Sequence, residues 1–392
     1  MADDLILVIN TGSSSLKLGV YEEADGDEQL LLEGGADGIG AHNGTLKLNY
    51  AEGQLIRSEE LRFGTQQEAL GVALGWVSDL SLPKTLAIGH RVVHGGPHLT
   101  EHQRITPELI RELHRCVHFA PIHIPMALSL IQAAEKVYPH TPQFACFDTA
   151  FHRTLPEAAA RFPLAGELFK QGVRRYGFHG LSYESIVHRL GPGIPSRTVI
   201  AHLGSGASLA ALCNGRSVDT SMGLTPVGGI MMGTRSGDLD PGVLLYILRA
   251  GHVDADALER ILNHDAGLKA ISGGESDMRA LEAKAAAGDT QAQLAIEMFC
   301  IAIRKVVASY ATVLDGLDLL VFTGGIGEHS SQVRDQVCRR LGFMGVCLDS
   351  AKNSKPDGDF SADSSTVRLK VVKTEEDRQI SRHCRAMLSK TG

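Results

Sequence analysis

The chain has 392 residues, 43% of them hydrophobic, with a formal net charge of −7 and its basic residues scattered. That length supports two or three domains with their own cores, and the charge pattern excludes a nucleic-acid patch. Met1–Asn10 has two acids and then a short apolar run, and the seven cysteines form no C-x-x-C pair; no membrane span, no signal peptide and a cytoplasmic protein with reduced thiols are expected.

In chain order, apolar Leu5–Asn10, the turn Thr11–Ser15 and strand-like Leu16–Tyr21 predict a hairpin. Gln29–Arg62 alternates short apolar pieces with Gly and Asn, as strands and turns do. Gln66–Leu80 has helical spacing, Thr106-Pro107-Glu108 opens a helix with an N-cap and first-turn proline, and Met126–Val137 predicts another helix. Pro142–Phe147 predicts a strand ending at Asp148. A second strand-turn-strand runs from Thr198 through Leu203–Ser208 to Cys213, and Asn10-Thr11-Gly12-Ser13 overlays His202-Leu203-Gly204-Ser205. This weak repeat predicts two related α/β domains. Gln291–Leu314 predicts a long helix stopped by Gly316. Leu319–Thr323 predicts a buried strand delivering Gly324–Glu328 at its C-terminal end, where ligands bind in open α/β sheets. Polar Pro356–Ser365 predicts a surface loop.

Three Gly/Ser-rich turns, Thr11–Ser15, Gly204–Ser208 and Gly324–Gly327, are candidate phosphate cradles, since glycine lets backbone N–H groups approach and Ser hydroxyls add donors. None is a Walker A or G-x-G-x-x-G sequence, and each alone reads first as an ordinary tight turn; it is all three following apolar strands that favours the cradle. Arg91 in Gly89–Gly96 and Arg235 in Met231–Asp238 are candidate guanidinium forks for phosphoryl oxygens or a carboxylate. The alternative is a structural arginine paired with an acid such as Asp238 or Asp240. Asp148 and Glu376 are candidate magnesium acids, with a solvated helix-start acid as the plainer reading of Glu376. His90, His94, His98 and His102 are spaced by four, but the intervening glycines and Pro97 exclude a helical metal face. His114 and His118 lack an evident third ligand. His179 lies in a glycine-flanked turn with aromatic neighbours, as a hydrogen-bond donor to a phosphoryl group or as a core or capping histidine.

Together these runs resemble the acetate kinase (acetate/propionate kinase) family. The matching segments are Val8–Lys17, Gly89–Gly96, Phe147–His152, Arg175–Gly180, His202–Ser208, Asp219–Gly223, Met231–Gly242, Ser276–Arg279 and Thr323–Glu328, in family order from residue 6 to about 381. The resemblance implies an α/β duplicated actin/Hsp70/sugar-kinase-like (ribonuclease H-like) fold with two domains and a cleft between them. It divides them as 1–148 plus about 376–392, on the acyl-substrate side, and 149–375, for nucleotide binding and dimerisation. It implies reversible phosphoryl transfer between ATP and acetate, with ATP/ADP as substrate, Mg2+ (or Mn2+) as cofactor, and a homodimer. By position it implies Arg91, Asp148, His179 and Arg235 as catalytic residues. Arg91, Val93, Ile122, His123, Phe178 and Pro226 would meet the acyl substrate. Asn10, Lys17, His202, Gly204, Ser205, Gly206, Asp277, Met278, Arg279, Gly324, Gly325, Ile326 and Gly327 would meet the nucleotide. Asn10, Asp148 and Glu376 would hold the metal.

The chain departs from the family pattern at Ser205, in Thr225-Pro226-Val227-Gly228-Gly229, in His123-Ile124-Pro125, at His329 and in Thr374-Glu375-Glu376-Asp377. These changes lie around the nucleotide and the cleft edge and leave donor preference open. The alternatives are a propionate or butyrate kinase of the same superfold and a non-enzymatic nucleotide-gated binding protein. The retained Arg91, Arg235, His179 and Asp148 argue against the latter.

Overall fold

The computed structural model describes residues 4–11, 15–40, 44–251, 253–355 and 357–390. Gly12, Ser13 and Ser14 of the first glycine-rich turn, and Pro356, lie outside the described residues. Two compact units are formed, Met1–Ala150 with Glu375–Gly392, and Phe151–Thr374.

The first unit is built on a mixed sheet of β1 (Leu5–Thr11), β2 (Ser15–Ala24), β3 (Asp27–Asp37), β4 (Gly44–Tyr50), β5 (Leu55–Leu61), β6 (Thr85–Val92), β7 (Gln103–Arg104) and β8 (Gln143–Phe147), in the order β5-β4-β3-β2-β1-β6-β8-β7. The continuous apolar run of β1 suits a strand covered on both faces, and every residue in it is buried. At the far edge β5 carries Arg57, Glu59 and Glu60, charges that discourage further pairing. Helices Gln66–Ser78 and His123–Val137 cover one face, packing Leu70, Leu74, Leu130 and Ala134 with Leu5, Leu7 and Ile9. The helix Glu376–Leu388 packs on β1 and β6. Gly89 permits that approach: a Cβ there would lie 2.4 Å from Cγ2 of Ile380 and 2.7 Å from Sγ of Cys384. The helix is also pinned to β3, where buried Glu28 accepts from Ser381 Oγ at 2.7 Å and pairs with Arg385, while Asp27 pairs with Arg382 at 2.8 Å.

The second unit holds β9 (Arg197–Leu203), β10 (Ala207–Cys213), β11 (Arg216–Thr220), β12 (Leu319–Thr323), β13 (Gly358–Asp359) and β14 (Arg368–Val371), in the order β11-β10-β9-β12-β14-β13. The run β3-β2-β1-β6-β8 of the first sheet matches β11-β10-β9-β12-β14 of the second. In each, the first strand of an antiparallel hairpin pairs in parallel with the next strand, which pairs in parallel with a third. The hairpin registers agree as well: Asn10 pairs with Lys17 and Thr11 with Leu16, as His202 pairs with Ser208 and Leu203 with Ala207. The overlay of Asn10 on His202 in sequence is therefore an overlay of equivalent sheet positions. This is the duplicated, actin-like α/β fold.

The expected helices form at Gln66–Ser78, Pro107–Arg115, His123–Val137 and Thr290–Val313. Thr106 caps the second, accepting from Leu109 N at 3.3 Å. Helix His123–Val137 starts three residues before the expected Met126, because Pro125 fits its first turn, where no intrahelical N–H partner is needed. The long helix ends on Asp315, at φ 56°, rather than on Gly316; Gly316 N then donates to Ala311 O at 2.8 Å, closing the helix end. The polar run ending at Ser365 is more than a surface loop. It contains β13, and Phe360 within it is 1% exposed, packed near Phe322.

Candidate active site

In the first unit, β1, β6 and β8 end side by side and the start of the C-terminal helix joins them. Arg91, on β6, points both Nε and Nη2 at Asp148, just past β8: Nε donates to Oδ1 and Oδ2 at 3.1 and 3.0 Å, and Nη2 to Oδ2 at 2.6 Å. Its Nη1 donates to Asn10 Oδ1 at 3.2 Å and lies 3.8 Å from Glu376 Oε2. Asn10 in turn donates from Nδ2 to Asp377 Oδ1 at 2.6 Å. Burial opposes the charge on Arg91, but Asp148 and Glu376 outweigh it and hold its pKa above the ordinary arginine value. Burial, with Glu376 adding to it, raises the Asp377 carboxyl above its usual range, against the hydrogen bond from Asn10 and the charge of Lys17. Four predicted residues, Asn10, Arg91, Asp148 and Glu376, are thus brought into one cluster, with exposed Lys17 opposite Asn10 on the hairpin. Asp377 is a member that sequence reasoning did not single out; its position beside Glu376 in the run of acids was the available signal.

In the second unit, His179 sits at φ 58°, the left-handed region, immediately before helix Gly180–Leu190. Such a conformation at a non-glycine residue marks a position worth examining for function. The turn is held from below: buried His152 donates from Nε2 to Phe178 O at 3.1 Å, and its ring fills the space a Cβ on Gly177 would need, 2.5 Å from Cδ2. Burial pulls the His152 pKa down to about 4. The His179 ring stacks on His202 with centroids 4.3 Å apart, and its Nδ1 lies 2.9 Å from Ser208 Oγ. A Cβ on Gly206 would lie 3.2 Å from Nε2 of His179 and 3.4 Å from Nη1 of Arg235, so both nitrogens face the same glycine. Arg235 Nη1 also donates to Pro226 O at 3.2 Å. Asp238 accepts from Gly229 N at 2.7 Å and Asp240 caps helix Pro241–Ala250, accepting from Gly242 N at 2.8 Å, so both acids serve backbone N–H groups.

The two glycine turns of this unit abut. Gly324, at φ 77°, lies against Leu203 O, 2.7 Å from where its Cβ would be, and a Cβ on Gly204 would be 3.9 Å from Gly325 N. Gly325 is exposed, Ile326 half-buried and Gly327 buried. Glu328, buried and missed by sequence reasoning as a site residue, accepts at Oε1 from Gly324 N at 3.0 Å and from Thr374 N at 3.0 Å, bracing the turn. Ser205 is exposed, and its carbonyl accepts from Gly233 N at 3.1 Å. Asp277 caps helix Met278–Ala286 through Ala280 N at 3.0 Å, Met278 is buried, and Arg279 is exposed. Ser208, expected among the phosphate donors of Gly204–Ser208, is fully buried and its hydroxyl is committed inward to His179 and Tyr183, which corrects that reading. Of the acyl-pocket candidates, Val93 and His123 are half-buried and Ile122 is exposed in the first unit; Phe178 and Pro226 are buried in the second.

The model of the Acetokinase family matches residues 5–382. The acetate kinase of Rhodopseudomonas palustris (strain ATCC BAA-98 / CGA009) is 44% identical over 393 residues, covering 97% of each chain. Among solved structures, Porphyromonas gingivalis acetate kinase superposes with a TM-score of 0.88 at 37% identity, covering 98% of this chain and 100% of that one. A propionate kinase from Francisella tularensis subsp. tularensis SCHU S4 does so with 0.91 at 35% identity, covering 97% and 98%. The chain belongs to the acetokinase family, phosphotransferases with a carboxyl group as acceptor.

Proposed function

We propose that the chain catalyses reversible phosphoryl transfer between ATP and acetate, giving acetyl phosphate and ADP. The observation that carries this is the family match over 5–382. A carboxylate is already nucleophilic at neutral pH, so the reaction needs alignment and charge neutralisation rather than a strong base. In this reading an acetate oxygen attacks the γ-phosphorus in line, the bond to the ADP oxygen breaks, and ADP leaves with that electron pair. Arg91 and Arg235 each give a guanidinium to the carboxylate and the transferring phosphoryl group, and His179 donates to the phosphoryl oxygens as charge spreads over them. Backbone N–H groups of the Gly204–Gly206 and Gly324–Gly327 turns cradle the nucleotide phosphates, with His202 beside them, and Asn10 and Lys17 are the nucleotide contacts that the first unit contributes. Asp277, Met278, Arg279 and Ile326 lie toward the adenosine. Val93, Ile122 and His123 of the first unit and Phe178 and Pro226 of the second are the residues assigned to the acyl group.

The donor set around Arg91 fits a hard divalent ion. Asn10, Asp148 and Glu376 offer oxygen ligands, and the acids Asp148, Glu376 and Asp377 outnumber the adjoining cations Arg91 and Lys17. Magnesium or manganese, bound there, supplies Lewis-acid neutralisation of phosphate charge.

A second reading, a propionate kinase, is favoured by the propionate kinase from Francisella tularensis, to which this chain is 35% identical. One experiment tests both: trapping of acyl phosphate as hydroxamate with acetate, propionate or butyrate and Mg·ATP. Product with acetate in excess of the others supports the first reading; product chiefly with propionate replaces it with the second; no product with any acid overturns both.

We also assign the chain to the cytoplasm and to a homodimer. No helix among the described residues is long and apolar enough to cross a membrane, and none of the seven cysteines is in a disulfide. Helix Pro241–Ala250 buries none of its residues and exposes Val243, Leu245, Tyr246 and Leu248, with Tyr246 at 71%. Apolar side chains exposed on all sides of one helix suit burial against a second copy.

A further inference from the structure

We propose that Ser208 and Tyr183 are positioning residues that fix which nitrogen of His179 carries the proton, holding it on Nε2. The inference rests on the reading of His179 as a donor to the phosphoryl group and adds the groups that prepare it.

Three polar atoms form a buried line. Tyr183 Oη lies 2.5 Å from Ser208 Oγ, and Ser208 Oγ lies 2.9 Å from His179 Nδ1. Tyr183 and Ser208 are both 0% exposed. The phenol is packed in a core cluster with Ile186, Ile200, Ala210, Leu212 and Val321, and its ring stacks near Phe151 at 5.7 Å. The hydroxyl of Ser208 is the hydrogen-bond partner of the phenol in this apolar setting.

The direction of each bond follows from satisfying the protons. A buried O–H without an acceptor costs about 1–3 kcal/mol. The Tyr183 O–H therefore donates to Ser208 Oγ. Ser208 has one proton, and its remaining partner is Nδ1, so Ser208 donates to His179. Nδ1 is then an acceptor, and the ring proton of the neutral imidazole sits on Nε2. The reverse order, with Nδ1–H donating to Ser208 and Ser208 to Tyr183, leaves the phenol proton buried and unpaired. Burial also raises the Tyr183 pKa well above that of free tyrosine, which keeps the phenol protonated as the chain requires. The same order penalises imidazolium, because a proton on Nδ1 would displace the one from Ser208. Nε2, the nitrogen left carrying the proton, is the one beside Gly206, toward which Arg235 Nη1 also points.

A merely structural Ser–Tyr contact would affect stability alone, so the test reads the proton. Nitrogen-15 NMR of histidine-labelled protein, with His179→Gln used to assign the signal, reports the tautomer and pKa of His179 without any need for turnover. In the intact protein the ring is expected as one Nε2–H tautomer. In Ser208→Ala and Tyr183→Phe the Nδ1–H form becomes populated and the His179 pKa rises. Ser208→Thr, which keeps a hydroxyl, restores the original signature. In the acyl-phosphate assay Ser208→Ala is expected to lower kcat roughly tenfold, with KM for both substrates within about twofold. An Nδ1–H tautomer in the intact protein, or an unchanged tautomer and pKa in both variants, overturns the inference. Failure of acyl-phosphate formation by the intact protein instead overturns the functional reading and leaves the tautomer result standing.

Discussion

Arg91 and Asp148 meet fork to carboxylate, with Nε and Nη2 of the one on both oxygens of the other. The geometry fixes the plane of the guanidinium and leaves Nη1 turned toward Asn10 and Glu376. Asp148→Asn keeps the shape but removes the charge that holds Arg91. It is expected to reduce kcat by at least tenfold, and Arg91→Ala or Arg235→Ala by about 100-fold or more, with circular dichroism unchanged. Near-normal turnover in either arginine variant would remove that residue from its assigned role.

Val93 is half-buried two residues beyond Arg91. Truncation to Ala is expected to shift the propionate/acetate ratio of kcat/KM upward by about tenfold, since one methylene is worth about 1–3 kcal/mol in an apolar pocket. An unchanged ratio would take Val93 out of the acyl pocket.

Gly89 has no room for a side chain under Ile380 and Cys384. Gly89→Ala must push the C-terminal helix outward, carrying Glu376 and Asp377 with it. A loss of about 1–3 kcal/mol in urea denaturation is expected, from overpacking, and a Tm equal to that of the parent would contradict the contact.

His90 and His152 are both buried, and burial lowers each to about 4; His90 keeps its Nε2–H on Gln143 Oε1 at 2.6 Å. An unfolded histidine titrates near 6.5, so between about 6.5 and 4 the unfolded chain binds protons that the folded chain does not. Their contribution to stability is therefore complete above about pH 6.5 and declines as pH falls toward 4. The urea midpoint is expected to drop steadily from pH 7 to pH 5, and a flat profile would refute it.

Tyr246 is the most exposed apolar residue of helix Pro241–Ala250. Tyr246→Arg should shift the chain from dimer to monomer in light scattering. A monomeric parent, or an unaltered dimer in the variant, would count against that face as the contact.

Legibility in the sequence followed the range of the interactions. The two hairpins, the buried strand before Gly324 and the capped helices are written in neighbouring residues, and so was the duplication, once Asn10 and His202 were overlaid. Ser208 was misread because a serine in a glycine-rich turn looks like a phosphate donor; only the distant Tyr183 turns its hydroxyl inward. Glu328 and Asp377 were passed over for a similar reason. Each stands beside or among motif residues, and what distinguishes it is a long-range partner, Thr374 N for the one and Asn10 for the other. Phe360 lay in a polar stretch whose average hid a single core residue.

The first unit is discontinuous along the chain: it breaks off at Ala150 and resumes only at Glu375. During synthesis on the ribosome, β1, β6 and β8 therefore emerge long before the helix that covers them. A nascent chain halted anywhere in the second unit holds Arg91 and Asp148 but has no Glu376 or Asp377 to join them, and leaves the bare Gly89 face uncovered. Competence at that cluster arrives only after Glu375–Leu388 has been made, and a chain cut short before it would present a sticky apolar sheet to chaperones and proteases.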